Sequence, residues 1–271
     1  MEVNYLNFMK EIKFALYAIK KNLQNSAELK TSFLMNVFGM AINNTAFIII
    51  WVFFVKTVGV INGWTAADII GLLGFTTICF GIVLSVGDGL RRLPDLVSSG
   101  SFDRFLLSPK NLLVRIATSS FGSSAVGDMI FGAVCLIFYG ILIQATLYQV
   151  LLIIFLIIIA TIIFLSLVII IHSTSFLFTD SDQVTLGIFN FFLTPSLFNG
   201  GAFHGLMRVF FMFIVPSLLV GTIPVEIVRD VSVSKLILII ILSVFWFWLS
   251  IKIFNKCVKK YESSNFMTFG Q

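Results

Sequence analysis

Between Leu147 and Phe178 the chain reads LYQVLLIIFLIIIATIIFLSLVIIIHSTSFLF. The run contains no Asp, Glu, Lys or Arg. An apolar stretch of 18 or more residues without charge reads as a helix crossing a bilayer. At roughly 1.5 Å per residue, a run of about 32 residues exceeds a hydrocarbon core of about 30 Å. This helix is therefore expected to tilt or to project beyond the membrane.

Composition points the same way. Of 271 residues, 58% are hydrophobic and 11% are charged, and the mean hydropathy is +1.04. A soluble domain is about a quarter charged, and one core of this size could not hide so much apolar surface. A disordered chain, a nucleic-acid-binding arm and an ordinary cytosolic enzyme are excluded. The class left is an integral membrane protein. Cys79, Cys135 and Cys257 are far apart, so neither a disulfide framework nor a zinc site is expected. No cleavable signal peptide is read at the start.

Working outward from 147–178, five more apolar segments are read. They cover Phe33 to Val55, Asp68 to Val86, Ser120 to Ile143, the broken stretch Thr185 to Ile223, and Lys235 to Phe254. Ahead of them, residues 4 to 28 carry apolar side chains at helical spacing (Phe8, Ile12, Leu16, Ile19, Leu23) with Lys10, Lys13, Lys20 and Lys21 elsewhere. That pattern suits a helix lying in the membrane interface; a helix packed on a soluble partner is the alternative.

Charge sets the expected orientation. Five of the 18 basic residues lie in residues 1 to 33, five between Arg91 and Arg115, and four between Lys252 and Lys260. Only Lys56, Arg208, Arg229 and Lys235 fall elsewhere. The positive-inside rule places the three basic regions, and so both termini, in the cytoplasm. An even number of crossings follows. The stretch 185–223 is interrupted by Pro195, Gly200, Gly201, Gly205 and Pro216, so it should cross once and also hold a re-entrant piece. Broken backbone is tolerated at membrane depth only when it is buried in protein or lines a wet cavity. The favoured reading puts the fifth span near 185–199, with short helices at 203–214 and 217–228 dipping in from the outer side. The alternative makes 206–223 the span. The expected fold is thus all-α, with six transmembrane helices, an N-terminal interfacial helix (1–32), a membrane domain (33–256) and a C-terminal tail (257–271). A coupling loop at 90–117 and an outer gate at about 200–230 belong to the membrane domain.

Several motifs are missing. No GxxxxGK[ST] loop occurs, so the chain shows no ATP site of its own. No HExxH, GxSxG or Cys/His cluster occurs either, and His172 and His204 read as helix-end or interfacial residues. The informative stretch is Gly87 to Pro109, GDGLRRLPDLVSSGSFDRFLLSP. Two short amphipathic pieces meet at Ser98-Ser99-Gly100, and Pro109 ends the second. Such a loop can take force from a cytoplasmic partner; a solvated, orientation-setting loop is the plain alternative.

This stretch resembles the permeases of type-2 ABC exporters, in the branch described as ABC-2 family transporter proteins. The first cytoplasmic loop of that branch has the form Arg…Leu-Val…Ser-Gly-x-Phe/Leu-Asp…Leu-Leu-x-Pro. Arg91 or Arg92, Leu96, Val97, Gly100, Asp103, Leu106, Leu107 and Pro109 fit it. A second patch, Thr194-Pro195-Ser196-Leu197-Phe198 followed by Arg208 to Pro216 and Thr222-Ile223-Pro224-Val225-Glu226, is similar to the Pro-Leu…Phe…Arg…Ile-Pro…Pro run of the branch. Thr194 stands where the branch often has Tyr.

The resemblance implies a six-helix permease working with two copies of a cytoplasmic ABC ATPase, which would hold the ATP and magnesium, and with a second permease subunit, identical or related. It implies a bacterial plasma-membrane location. Nucleic acid is not an expected partner, and no cofactor is expected in this chain. Arg91, Arg92, Asp95, Gly100, Phe102, Asp103 and Arg104 would form the ATPase-coupling loop. Pro195, Arg208, Pro216, Pro224 and Glu226 would belong to the outer gate. Drug, peptide antibiotic and lipid-like cargoes all fit.

Polar residues at membrane depth complete the reading. Asp128 is expected about one-third into the third span, where an ionisable group is a functional candidate. Its expected partners are Arg115, Ser124 or a residue of a second subunit. Asp88 should pair with Arg91 or Arg92 one turn on. Asn36, Asn43 and Asn44 share a region of the first span, and Gly71, Gly74, Gly81 and Ser85 give the second span a small-residue side suited to helix packing. Asn43, Asn44, Asp128 and Phe191 are the expected lining of the path. The main rival is a proton-coupled secondary transporter using Asp128. A membrane-embedded enzyme lacks any nucleophile–base pair, and an assembly factor would not transport.

Overall fold

The computed structural model describes residues 2–59, 62–178 and 181–261. The described residues form helices and no strand. Part of the C-terminal tail, residues 262–271, lies outside the described residues, as do the side chains of residues 1–8.

Helix α1 (Glu2–Glu28) leads directly into α2 (Lys30–Val58). Next comes α3 (Ala66–Arg91), which starts on a capping box. Thr65 accepts from the Asp68 amide, and the Asp68 carboxylate accepts from the Thr65 amide at 2.9 Å. Three short helices follow, α4 (Leu93–Ser98), α5 (Asp103–Leu106) and α6 (Leu112–Ala117). Next is the hairpin of α7 (Ala125–Leu142) and α8 (Leu147–Ser173), with α8 opened by a second capping box, Thr146 and Gln149. Helix α9 (Ser181–Ser196) leads into the broken region: α10 (Gly205–Val209), a π-turn at Phe210–Ile214, a 3₁₀ turn at Ser217–Leu219 and α11 (Thr222–Asp230). Helix α12 (Val233–Val258) is last.

Five helical stretches are long and apolar enough to cross a membrane: Lys30–Phe53, Ala66–Ser98, Ala125–Leu142, Leu147–Phe176 and Val233–Val258. The sixth expected crossing coincides with α9, whose 16 residues reach only about 24 Å at 1.5 Å per residue. The alternative of a continuous span over 206–223 is not what the chain forms. Gly205, with φ of +53°, and Pro216 bracket a segment that passes from α- to π-helix, and a 3₁₀ turn follows Pro216. The short helices expected at 203–214 and 217–228 are both present in outline.

Helix α3 is the centre of the bundle. In its apolar window 67% of residues are buried, against 6% for α2. It touches α2, α7, α8 and α11. Lipid tails are as apolar as leucine, so helices associate here through close packing rather than through escape from water. The small-residue side read from the sequence provides that packing. A Cβ on Gly81 would lie 2.8 Å from the Ala125 carbonyl oxygen, and one on Gly132 would lie 2.6 Å from the Ile78 nitrogen. The two backbones of α3 and α7 meet at these points. Outward, Ile130, Ile137, Ile141, Ile154, Ile158 and Ile241 are exposed, as a lipid-facing surface requires.

Gly81→Ala is expected to cost about 1–3 kcal/mol, because the added methyl meets backbone rather than a movable side chain. Gly187→Ala on α9, where a Cβ meets nothing within 4 Å, should be neutral or slightly stabilising. Thermal unfolding of the two variants in detergent checks the contrast.

Candidate functional site

At the basic end of the bundle, α3 closes on Asp88, which is buried. Ser120 donates to it at 2.8 Å, and Arg91 and Arg92 each approach it at 3.8 Å. The pairing expected one turn on is therefore present. Pro94 in the first turn opens α4. Gly100 takes the left-handed conformation, φ +69°, that reverses the chain between α4 and α5.

Phe102 then turns inward. It is fully buried, with its ring 4.9 Å from Phe176 and 4.7 Å from Tyr261. The Tyr261 hydroxyl donates to Asp103 at 2.9 Å. Phe102, one of the expected coupling-loop residues, thus anchors the loop from inside, and Asp103 is tied to Tyr261, three residues beyond the end of α12. Arg91, Arg92, Asp95 and Arg104 remain exposed, joined by Leu106 and by Leu107, which is 88% exposed. The returning segment rests on α1. Asn22 donates to the Thr118 carbonyl at 2.8 Å, and Lys110 lies 4.0 Å from Glu11 and over the Phe14 ring.

The membrane-depth residues divide. Asn44 donates to Asp128 Oδ1 at 2.7 Å, joining α2 to α7. This replaces the expected partners Arg115 and Ser124. Asp128 also sits in the first turn of α7 rather than one-third along a span, because that helix starts at Ala125 and not Ser120. Its Oδ2 is buried with no hydrogen-bond partner among the described residues. Gly127 allows the approach, since a Cβ there would lie 2.5 Å from the Val37 carbonyl oxygen. Asn43 and Asn36 face the uncovered side of α2. Phe191 is half exposed on α9 and packs on Phe210 and Phe211.

The opposite end carries an ionic network. Arg208 of α10 donates to both oxygens of Glu226 of α11, at 2.8 and 2.7 Å. Lys235 of α12 donates to Glu226 at 2.8 Å and to Asp230 at 3.1 Å. Arg229 bonds Asp230 at 3.0 Å, lies 3.5 Å from Asp68 and donates to the Gly63 carbonyl at 3.2 Å. Glu226 and Asp68 are almost fully buried. Burial works to raise the Asp230 pKa, but hydrogen bonds from Arg229 and Lys235 outweigh it and hold that carboxyl below the usual carboxylate range. A depressed folded-state pKa contributes stability above the ordinary carboxylate pKa, and that contribution is lost as pH falls through the depressed value. Of the expected gate residues, Arg208 and Glu226 are brought together. Pro224 lies in the first turn of α11, Pro216 starts the 3₁₀ turn, and Pro195 sits at the end of α9. Sequence reading missed Asp68, Arg229, Asp230 and Lys235. Their only signal was that Arg208, Arg229 and Lys235, like Lys56, stand outside the three basic regions.

Two of the cavities differ in character. A groove of about 600 Å³ among Ile78, Leu136, Ile137, Ile153, Ile154 and Ile157 carries no charged side chain. A polar one of about 250 Å³ lies between Arg91, Asp95, His172, Asp182, Thr185 and Phe189. Among the described residues no group of three or more His, Cys, Asp or Glu could hold a metal ion.

A helical bundle with several membrane-length apolar helices, a braced basic loop at one end and a broken, ion-paired segment at the other defines a multi-pass membrane protein. The model of the family described as ABC-2 family transporter protein matches residues 40–265. The chain belongs to that family and is an ABC permease, whose family works with an ABC ATPase partner. No curated protein and no solved structure matches the chain significantly.

Two substitutions check the geometry. Tyr261→Phe removes one hydrogen bond to Asp103 and keeps the ring, so it should cost about 0.5–1.5 kcal/mol; faster hydrogen exchange in α5 is the readout. Asn44→Ala strips Asp128 of its donor and should cost about 1–3 kcal/mol, read as a lower thermal midpoint that Asn44→Gln does not fully restore.

Proposed function

We propose that the chain is the membrane subunit of an ATP-driven exporter, and that its braced basic loop receives the stroke of a separate ATPase. The observation that carries this is the contrast within one loop. Phe102 and Asp103 are clamped against Phe176 and Tyr261, while Arg91, Arg92, Asp95, Arg104 and Leu107 stand exposed on the clamped frame. A loop that only set orientation would need no such bracing. Force applied to the exposed side chains passes into α3, which α4 continues, and, through Tyr261, into α12, which ends three residues earlier at Val258.

In this reading α9 is the sixth crossing, short because the broken segment after it dips back into the outer half of the membrane. Both termini are cytoplasmic, and the membrane is the bacterial plasma membrane. Two ATPase copies bind ATP and magnesium below a pair of permease subunits, identical or related. The uncovered side of α2 supports that pairing. Asn36, Gly39 and Asn43 lie there among Met35, Phe38 and Ile42, and an amide at membrane depth is costly unless protein or a wet path covers it. Asn43, Asn44, Asp128 and Phe191 then border the path, and residues 200–230 form its outer gate. Cargo with substantial apolar bulk, such as a drug, a peptide antibiotic or a lipid-like molecule, suits walls this rich in phenylalanine. The second reading, proton-coupled transport, draws on the unpartnered Oδ2 of Asp128.

Co-purification with the ATPase subunit and transport in vesicles test the proposal. Leu107→Asp and Arg92→Glu are expected to lower ATP-driven transport by about tenfold, equivalent to roughly 1.4 kcal/mol of lost coupling, with the chain still folded. Uptake that proceeds without any ATPase subunit, and that stops in Asp128→Asn, would favour the proton-coupled reading instead.

A further inference from the structure

We infer that Glu226 is the hub of an ionic latch on the outer segment, with the Arg208 arm releasing and the Lys235 arm staying fixed. The inference rests on the exporter reading for its place in a cycle, but its geometry stands alone.

Glu226 is 3% exposed and accepts from two cations on separate elements. A carboxylate this buried is costly to leave unpaired, so at least one cation must stay with it in every state. The two arms differ in what they span. Lys235 follows Glu226 by nine positions. Between them the chain turns once, at Val231, whose φ of +47° closes α11 onto α12. Lys235 is also held by Asp230 at 3.1 Å. This arm therefore joins neighbours in one tight corner. The corner is further tied to α3 through Arg229 and Asp68, and to α8 through Gln149, which donates to the Val228 carbonyl at 3.0 Å.

Arg208 lies eighteen positions before Glu226, across the most irregular backbone in the chain. Its helix α10 has five residues, begins at Gly205 with positive φ, and runs into the π-turn Phe210–Ile214 and then Pro216. π-turns and short irregular helices are positions where a chain yields. Leu206, Met207 and Val209 beside Arg208 are all exposed, so few packing contacts hold α10 in place. The pair, in which the one guanidinium nitrogen Nη2 donates to both carboxylate oxygens at 2.8 and 2.7 Å, is the polar attachment that joins α10 to the fixed corner. A charge-assisted hydrogen bond of this length is roughly twice as strong as a neutral one. Released, Arg208 goes into the water at the outer face, while Lys235 keeps Glu226 from standing uncompensated. The latch can thus open without burying a lone charge.

The test uses full-length protein in lipid nanodiscs, with a cysteine placed at Phe211, which is 8% exposed in the latched state, and labelled from the aqueous phase. Arg208→Gln is expected to raise the labelling rate by about tenfold or more and to speed hydrogen exchange across residues 205–214. Lys235→Gln is expected to lower the thermal midpoint while changing labelling less than threefold. Glu226→Gln should label as fast as Arg208→Gln, and the double variant Arg208→Gln/Glu226→Gln should add little to either. Equal labelling in Arg208→Gln and the parent would overturn the latch. So would labelling in Lys235→Gln as fast as in Arg208→Gln, because the arms would then be equivalent. If the latch opens as expected but ATP and the ATPase subunit leave its labelling unchanged, the latch stands and the ATP-driven cycle fails.

Discussion

The contact on which the rest of the molecule depends is the approach of two helix backbones, α3 and α7. In lipid no hydrophobic force gathers the spans, so the bundle needs surfaces that fit without side chains in the way. Gly81 against Ala125 and Gly132 against Ile78 supply them. With α7 this close, Asn44 of α2 reaches Asp128 across the next seam. With α3 central, its two ends become the anchor points of the two charged regions, Asp68 at one and Asp88 at the other.

Those charged regions obey one rule at both ends. Lys and Arg outside the positive clusters are a liability for insertion unless they are neutralised. Arg208, Arg229 and Lys235 meet three carboxylates, Asp68, Glu226 and Asp230, within ion-pair distance. That end of the bundle is locally neutral and internally bonded, whereas the end carrying Arg91, Arg92 and Arg104 leaves cationic groups to solvent. The difference in charge between the ends is thus a difference in pairing as well as in count.

Much of this architecture was legible in the sequence because it is local. The Leu147 run, the break at Ser98 to Gly100 and the Pro/Gly interruptions after residue 195 each act on the backbone within a few residues. Asp88 with its arginines is a pair one turn apart. What could not be read is long-range. Phe102 looks like a contact residue by its motif, and only the fold brings Phe176 and Tyr261 around it. Asp128 finds Asn44 across 84 positions, a partner that no spacing rule proposes. The start of α7 at Ala125 was hidden because the residues before it, Ser119 to Ser124, are small or mildly polar apart from Phe121 and do not interrupt the hydropathy. The bounds of α9, Ser181–Ser196 rather than 185–199, were shifted for the opposite reason, since apolar character continues past Ser196 after the helix has ended.

The two ends are joined by helices that do not break. Helix α3 runs from Asp68, held by Arg229, to Asp88, held by Arg91 and Arg92. Helix α12 runs from Lys235, which grips Glu226, to the residues just before Tyr261, which grips Asp103. Each is unkinked by proline, and α3 is buried over most of its length, so each transmits displacement as a rod. Helix α9 does not: it carries Pro195 and gives way to turns. On the proposed cycle, a push on the basic loop therefore moves the corner of α11 and α12 as one body with α3. The segment around Arg208, joined to α9 through irregular backbone, is left behind. Strain between the moving corner and the lagging segment falls on the bond that links them, the Arg208–Glu226 pair.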